Sequence, residues 1–128
     1  MYDIYYAHHQ WKYNTQEETY ELELIRRYFP NATVFNPSTD LKIQKFSTEN
    51  AIMDFCLETV RNSDILIFSS LDGCVGKGVY HEVQEALATG KIVFYIYQDD
   101  LHSAFTIRER DEKTRTDRLY GCVDIDLW

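Results

Sequence analysis

The chain has 128 residues, of which 45% are hydrophobic and 15% aromatic, and its formal net charge is −8 at pH 7. This length predicts one domain, 1–128, and the apolar content suffices for one hydrophobic core and excludes a disordered chain. An acidic surface repels phosphate backbones, so we expect no nucleic-acid binding by bulk electrostatics, although one small nucleotide is compatible with this charge.

The amino terminus and the cysteines are typical of a cytoplasmic protein. The start MYDIYYAHHQ lacks a basic stretch followed by an apolar run, and no segment approaches membrane-spanning length. We therefore expect neither a secretory signal nor contact with a membrane. Three widely spaced cysteines (Cys56, Cys74 and Cys122) form no zinc-binding motif, which favours reduced thiols.

The first third of the chain predicts two strands and one helix. Residues 2–7 are rich in tyrosine and isoleucine, as in a buried strand. Thr15 and Glu18 have the spacing of a capping box and start a helix over 15–28. The expected apolar stripe of this helix is Tyr20, Leu24 and Tyr28, with Leu22 and Ile25 beside them. Residues 33–35 predict a short strand, and NPSTD at 36–40 predicts a turn.

The middle of the chain repeats this alternation. Residues 48–61 predict a second helix, and the apolar run within 63–70 predicts a central parallel strand. A glycine-rich stretch follows, then a helix to about residue 89 that Gly90 ends, then a buried strand at 91–97. The charged segment 106–118 predicts a solvated helix or loop, and GCVDIDLW a last short strand.

Strands that alternate with helices of 10–15 residues predict an α/β fold. We expect a flavodoxin-like or Rossmann-like three-layer sandwich with a mostly parallel sheet of about five strands. Ligands bind such sheets beyond the carboxyl ends of the strands. AHH at 7–9, NPSTD at 36–40 and SSLDGCVGKG at 69–78 should meet at that edge.

The glycine-rich stretch DGCVGKGVYHEV fits no phosphate-binding motif. A P-loop requires serine or threonine after the lysine, but Gly78 follows Lys77, and the spacing of a dinucleotide fingerprint also fails. Glycines and free amides at a helix start can still hold an anion. The simpler alternative is a tight turn between strand and helix.

Glu82 lies in the first turns of the helix after this loop. The buried stripe of that helix should be Val79, Val83, Ala86 and Leu87. At about 100° per residue, Glu82 falls at the edge of the stripe and should be half-buried near the ligand edge, whereas Glu85 should point outward. The alternative is an acid placed there only because it favours the helix dipole.

Four stretches in order resemble the nucleoside 2-deoxyribosyltransferase superfamily, which includes 2′-deoxynucleoside 5′-phosphate N-hydrolases. They are IYYAHH (4–9), VFNPS (34–38), VRNSDILIFSSLDG (60–73) and GKGVYHEVQEALATGKIVFYIY (76–97). Glu82 lies eight residues before Gly90, as does the nucleophilic glutamate of that family. The chain departs from the family pattern where AHH replaces AGP, at Gln84 and at Ile92.

The resemblance implies an enzyme that cleaves or transfers at the N-glycosidic bond of a 2′-deoxyribonucleoside or its 5′-monophosphate. Glu82 would form a covalent ester with deoxyribose, and Asp72 would act as general acid. The implied substrate-binding residues are Tyr5, Ala7 and His8 at the sugar, Ser69, Gly76, Lys77 and Gly78 at a 5′-phosphate, and Asp54. No cofactor or metal is implied. The resemblance also implies a homodimer or higher oligomer, in which the end DIDLW completes the site of a neighbouring subunit.

Other interpretations stay open at this point. The chain could bind a nucleotide without cleaving it, as a sensor or sequestering protein, or it could hydrolyse NAD. A metal site on His8, His9 and Asp72 is disfavoured because adjacent residues of a strand point to opposite sides. Cys74 could be activated by a helix start, but no base partner is evident.

Overall fold

A computed structural model describes residues 2–41, 46–71, 73–99 and 104–109. The strands are β1 (Tyr2–Ala7), β2 (Val34–Phe35), β3 (Ser63–Phe68), β4 (Ile92–Asp99) and β5 (Ala104–Glu109). The helices are α1 (Gln16–Tyr28), α2 (Pro37–Asp40), α3 (Glu49–Arg61) and α4 (Lys77–Ala88), and a short 3₁₀ helix spans Gln10–Lys12.

The five strands form one sheet in the order β2-β1-β3-β4-β5. β1, β2, β3 and β4 run parallel, and β5 pairs antiparallel with β4. The predicted α/β sandwich with a mostly parallel sheet is therefore confirmed. The four parallel strands point their carboxyl ends to one edge of the sheet, which is where a ligand site is expected.

The two faces of the sheet bury separate apolar clusters. Side chains of α3 and α4 cover one face, whose central residues include Tyr5, Phe35, Leu66 and Phe68. Side chains of α1 cover the other face, which includes Ile4, Tyr6 and Ile67. Since successive residues of a strand point to opposite faces, Tyr5 and Tyr6 lie in different layers of the sandwich.

Helix α1 buries a different stripe from the predicted one. Its buried residues are Glu18, Glu21, Leu24 and Ile25, whereas Tyr20 and Tyr28 are 53% and 45% exposed. The prediction was wrong because it scored only apolar residues, and two carboxylates occupy the inner face. The capping box is half confirmed. The Thr15 hydroxyl accepts from the amide of Glu18, but the Glu18 carboxylate accepts from Asn14 and not from Thr15.

Three further predictions need correction. NPSTD is not a plain turn, because Asn36 caps the four-residue helix α2. The first part of segment 106–118 is not helix or loop, because residues to Glu109 form strand β5. Cys74 is disulfide-bonded, so the reduced state expected for every thiol is wrong, although Cys56 is a free thiol. GCVDIDLW lies outside the described residues.

Within the described part of the chain, no helix combines the length and apolar character that crossing a membrane requires.

Candidate active site

A cavity of about 230 Å³ opens at the carboxyl edge of the sheet. Residues that follow three neighbouring strands meet there: His8 after β1, Pro37 after β2, and the start of α4 after β3. The convergence predicted for this edge is thus confirmed for these segments. The wall is formed by His8, Gln10, Tyr13, Pro37, Leu41, Glu49, Ile52, Met53, Cys56, Gly78, Val79 and Glu82.

Glu82 is more deeply buried than its sequence position predicts, with 7% of its surface exposed. Val79, Glu82, Val83 and Ala86 are all buried, so the glutamate stands at a core position of α4 while Leu87 is 37% exposed. The Tyr5 hydroxyl donates a hydrogen bond to the Glu82 carboxylate. Burial raises the pKa of Glu82 to about 8, and this hydrogen bond opposes the rise only in part.

Tyr5 connects the catalytic candidate to a thiol in the cavity wall. Burial first, and then the neighbouring Glu82 and Cys56, raise the pKa of the Tyr5 phenol well above its usual value. Burial, with the Glu82 charge, raises the pKa of the Cys56 thiol to about 12, although the Tyr5 hydrogen bond opposes the rise. Tyr5 therefore stays protonated as a donor to Glu82, and Cys56 stays a thiol.

His8 is fixed to helix α1. Its Nε2 lies 2.7 Å from a Glu18 carboxylate oxygen, its Nδ1 lies 3.3 Å from the carbonyl oxygen of Tyr6, and its ring stacks on the Tyr6 ring. Burial opposes the charge of Glu18, but hydrogen bonds from His8, from the Asn14 amide and from Ser38 lower its pKa overall. Both imidazole nitrogens are thus held by protein groups.

A second buried polar cluster lies behind the site, on the α1 side of the sheet. Glu21 accepts hydrogen bonds from the Tyr6 hydroxyl (2.5 Å), the Ser69 hydroxyl (2.7 Å) and the Lys12 ammonium (2.8 Å). Lys12 also contacts Ser69 at 3.1 Å and is only 2% exposed. The cluster ties the segments that follow β1 and β3 to helix α1, so it holds two sides of the ligand edge in place.

The glycine loop makes a tight turn before α4. The backbones of Leu71 and Cys74 exchange two hydrogen bonds of 2.8 and 3.0 Å, and Gly73 between them has a φ of +80°, which L-residues rarely adopt. Gly76 is the N-cap of α4 and is buried, and Lys77 at the first helical position is exposed.

The structure brings together four of the predicted site residues. Tyr5 contacts Glu82, and His8, Gly78 and Glu82 line the cavity. Ala7 is fully buried at the end of β1.

Other predicted residues lie elsewhere. Asp54 is exposed on α3, and its neighbours Met53 and Cys56 line the cavity in its place. The Ser69 hydroxyl is engaged with Glu21 and Lys12. Asp72 lies outside the described residues, so its role as general acid stays a prediction.

Wall residues beyond AHH in the segment after β1, and wall residues on α3, were not predicted from the sequence. Gln10, Tyr13, Glu49 and Cys56 line the cavity, and none of them belongs to a motif. Cys56 carried a usable signal, because its spacing from Val60 puts both residues on the buried face of α3. Within the described residues, no group of three or more histidine, cysteine or acidic side chains could hold a metal ion.

Comparison of the sequence with protein families and with curated proteins finds no match to either. Membership of the nucleoside 2-deoxyribosyltransferase superfamily therefore stays a prediction that depends on the four resembling stretches.

Proposed function

We propose that the protein cleaves or transfers at the N-glycosidic bond of a 2′-deoxyribonucleoside or its 5′-monophosphate, with Glu82 as nucleophile. The observation that carries the proposal is the position of the Glu82 carboxylate. It stands at a core position of α4, lines the cavity and accepts a hydrogen bond from Tyr5. A buried carboxylate without a salt bridge costs stability. Strongly perturbed carboxyl groups in clefts are typical of active sites.

The reaction requires a nucleophilic carboxylate, a group that donates and accepts a proton, and space for the sugar. A Glu82 oxygen forms a bond to C1′ while the C1′–N bond breaks, and the electron pair of that bond leaves with the base, which takes a proton from a general acid, the role predicted for Asp72. Water or a second base then attacks C1′ and gives its proton to the same group, which releases Glu82 with retention of configuration. Tyr5 would hold the second carboxylate oxygen, so that the first faces the sugar.

The raised pKa of Glu82 determines how the activity of the site would depend on pH. A pKa of about 8 keeps Glu82 mostly protonated at neutral pH in the free protein, whereas the nucleophile must be ionised. Positive charge that develops at C1′ favours the ionised form. The same value supports the second candidate, a protein that binds a nucleotide without cleaving it, because a protonated Glu82 can donate a hydrogen bond to a ligand.

The test is chromatography of released base. Wild type, Glu82→Gln and Glu85→Gln would be incubated with deoxynucleosides, deoxynucleoside monophosphates and NAD, with and without an acceptor base. Glu85 is the matched control because it lies on the same helix but pairs with Arg61 at 2.5 Å. We expect base release by wild type and Glu85→Gln only. Acceptor dependence would identify a transferase, release from NAD alone would favour an NAD glycohydrolase, and no release would favour binding without cleavage.

Two broader properties are proposed with this function. A homodimer or higher oligomer follows from the family resemblance and is tested by the mass of the protein in solution. A cytoplasmic location is proposed from the spacing of the cysteines, and the Cys74 disulfide bears against it, because lasting disulfides are rare in the cytosol.

A further inference from the structure

Tyr13 lines the cavity with a hydroxyl that no described residue uses. Its ring is partly buried and lies against the ring of His8, with 4.9 Å between the ring centroids. Among the residues that the structure describes, no hydrogen bond involves the Tyr13 hydroxyl. The hydroxyls of Tyr5 and Tyr6, by contrast, each donate to a buried glutamate. Tyr13 can therefore offer its proton to a ligand in the cavity.

The Tyr13 hydroxyl lies within electrostatic reach of Glu82. Burial first, and then the charges of Glu82, Cys56 and Glu18, raise the pKa of the Tyr13 phenol. These charges act on the phenol oxygen, and two of the three groups, Glu82 and Cys56, belong to the cavity wall. The hydroxyl is therefore on the cavity side of the ring, and it keeps its proton at neutral pH in the free protein.

The backbone on either side of Tyr13 is anchored to helix α1. The Lys12 ammonium pairs with Glu21 at 2.8 Å, and the Asn14 amide donates to the Glu18 carboxylate at 3.1 Å. The two inward carboxylates of α1 thus hold the short segment that carries Tyr13. A catalytic group has to be fixed in this way, because its reach to the reacting atoms must not vary.

The other polar side chains of the described wall are poorer proton donors. Both ring nitrogens of His8 already contact protein acceptors. The Gln10 amide does not ionise, and the Cys56 thiol is a weak hydrogen-bond donor. Glu49 is exposed, and an ionised carboxylate only accepts hydrogen bonds.

We propose that the Tyr13 hydroxyl is the general acid and base of the site, in the role that the family resemblance gives to Asp72. The inference rests on the proposed function. As Glu82 bonds to C1′ and the C1′–N bond breaks, the base leaves with the electron pair and takes the Tyr13 proton, which leaves a phenolate. In the second step the phenolate takes a proton from the attacking water or base, while the bond between C1′ and Glu82 breaks.

The charge of Glu82 couples the two proton transfers to the two bond changes. An ionised Glu82 raises the pKa of the Tyr13 phenol, whereas the ester with deoxyribose carries no charge and removes this effect. Tyr13 therefore gives up its proton more readily as the ester forms. It recovers the proton more readily as the ester breaks and the carboxylate returns.

The test compares two leaving groups on the same sugar. One substrate is a deoxynucleoside or monophosphate that wild type cleaves, and the other is the 4-nitrophenyl glycoside of the same sugar, whose nitrophenolate leaves without a proton. Tyr13→Phe should lower kcat/KM for base release by about 100-fold or more and leave nitrophenolate release nearly unchanged. Glu82→Gln should lose both activities. Tyr20→Phe is the matched control, because Tyr20 is 53% exposed and lies off the wall, and it should lose neither.

The remaining outcomes separate the inference from the proposed function. Equal losses of both activities in Tyr13→Phe, in a variant with the urea unfolding midpoint of wild type, would refute proton transfer by Tyr13. Unchanged base release would refute it as well, and a loss confined to base release in Asp72→Asn would then return the role to Asp72. In each of these cases the proposed function stands. Release of neither leaving group by wild type would refute both.

Discussion

Replacing Glu82 with glutamine should make the protein more stable, by an amount that grows with pH. The pKa of this carboxyl is about 8 in the folded protein against 4.5 ordinarily. Below pH 4.5 both the folded and the unfolded chain are protonated at this group, and no penalty exists. Between pH 4.5 and about 8 only the unfolded chain ionises, so the free energy of unfolding falls as pH rises.

The magnitude follows from the size of the shift. Each pH unit in this window removes about 1.4 kcal/mol, which gives roughly 3 kcal/mol at pH 7 and on the order of 5 kcal/mol above pH 8. Domains of this size are stable by only about 5–15 kcal/mol, so the effect is measurable. Glutamine keeps the shape of the side chain and can still accept the Tyr5 hydrogen bond, but it does not titrate.

The assay is urea unfolding of wild type, Glu82→Gln and Glu58→Gln at several values between pH 5 and 9. Titration of all other groups cancels in the difference between variant and wild type. That difference should rise with pH for Glu82→Gln and stay flat for the exposed Glu58. If the free energy of unfolding of Glu82→Gln minus that of wild type varies by less than about 1 kcal/mol between pH 5 and 9, burial does not hold the proton on this carboxyl.

Other expected outcomes follow from neighbouring contacts. Tyr5→Phe removes the hydrogen bond that favours the ionised form of Glu82. The rise of kcat/KM with pH should therefore occur at higher pH than in wild type, and an unchanged pH profile would contradict the role of Tyr5. Cys56 should react slowly with a small alkylating reagent at pH 7, because its pKa is raised, and a ligand in the cavity should slow the reaction further. Peptide mass spectrometry measures the alkylation. The same rate with and without ligand would place the ligand elsewhere. Lys12→Met should lower the free energy of unfolding by about 3–5 kcal/mol, because it leaves Glu21 buried without its cation. The double variant Lys12→Met with Glu21→Gln should recover part of this loss. If the double variant instead loses the sum of the two single-variant losses in denaturant unfolding, the pairing is refuted.

The fold could be predicted because its signals are local. The apolar run at 65–68 ends where β3 ends, Gly90 (φ +74°) follows the end of α4, and the helix predicted over 48–61 matches α3. Strand β5 was missed because its sequence is charged and it lies at the edge of the sheet, where polar side chains can face solvent.

Only those parts of the candidate site that follow from the order of strands and helices along the chain could be predicted. The carboxyl ends of parallel strands must converge, which was enough to place His8 and Glu82 at one edge. The inward carboxylates Glu18 and Glu21 could not be foreseen, because their partners come from distant positions such as Ser38 and Ser69. A polar residue at a core position has no local signal that its hydrogen-bond partner exists.

The most direct test of the central claim is mass spectrometry of the protein, quenched in acid during incubation with a deoxynucleoside. The account predicts that the protein gains one deoxyribosyl group, that this group maps to the peptide containing Glu82, and that Glu82→Gln gains none. Base release by wild type with no adduct on Glu82, together with equal release by Glu82→Gln, would contradict the assignment of Glu82 as nucleophile.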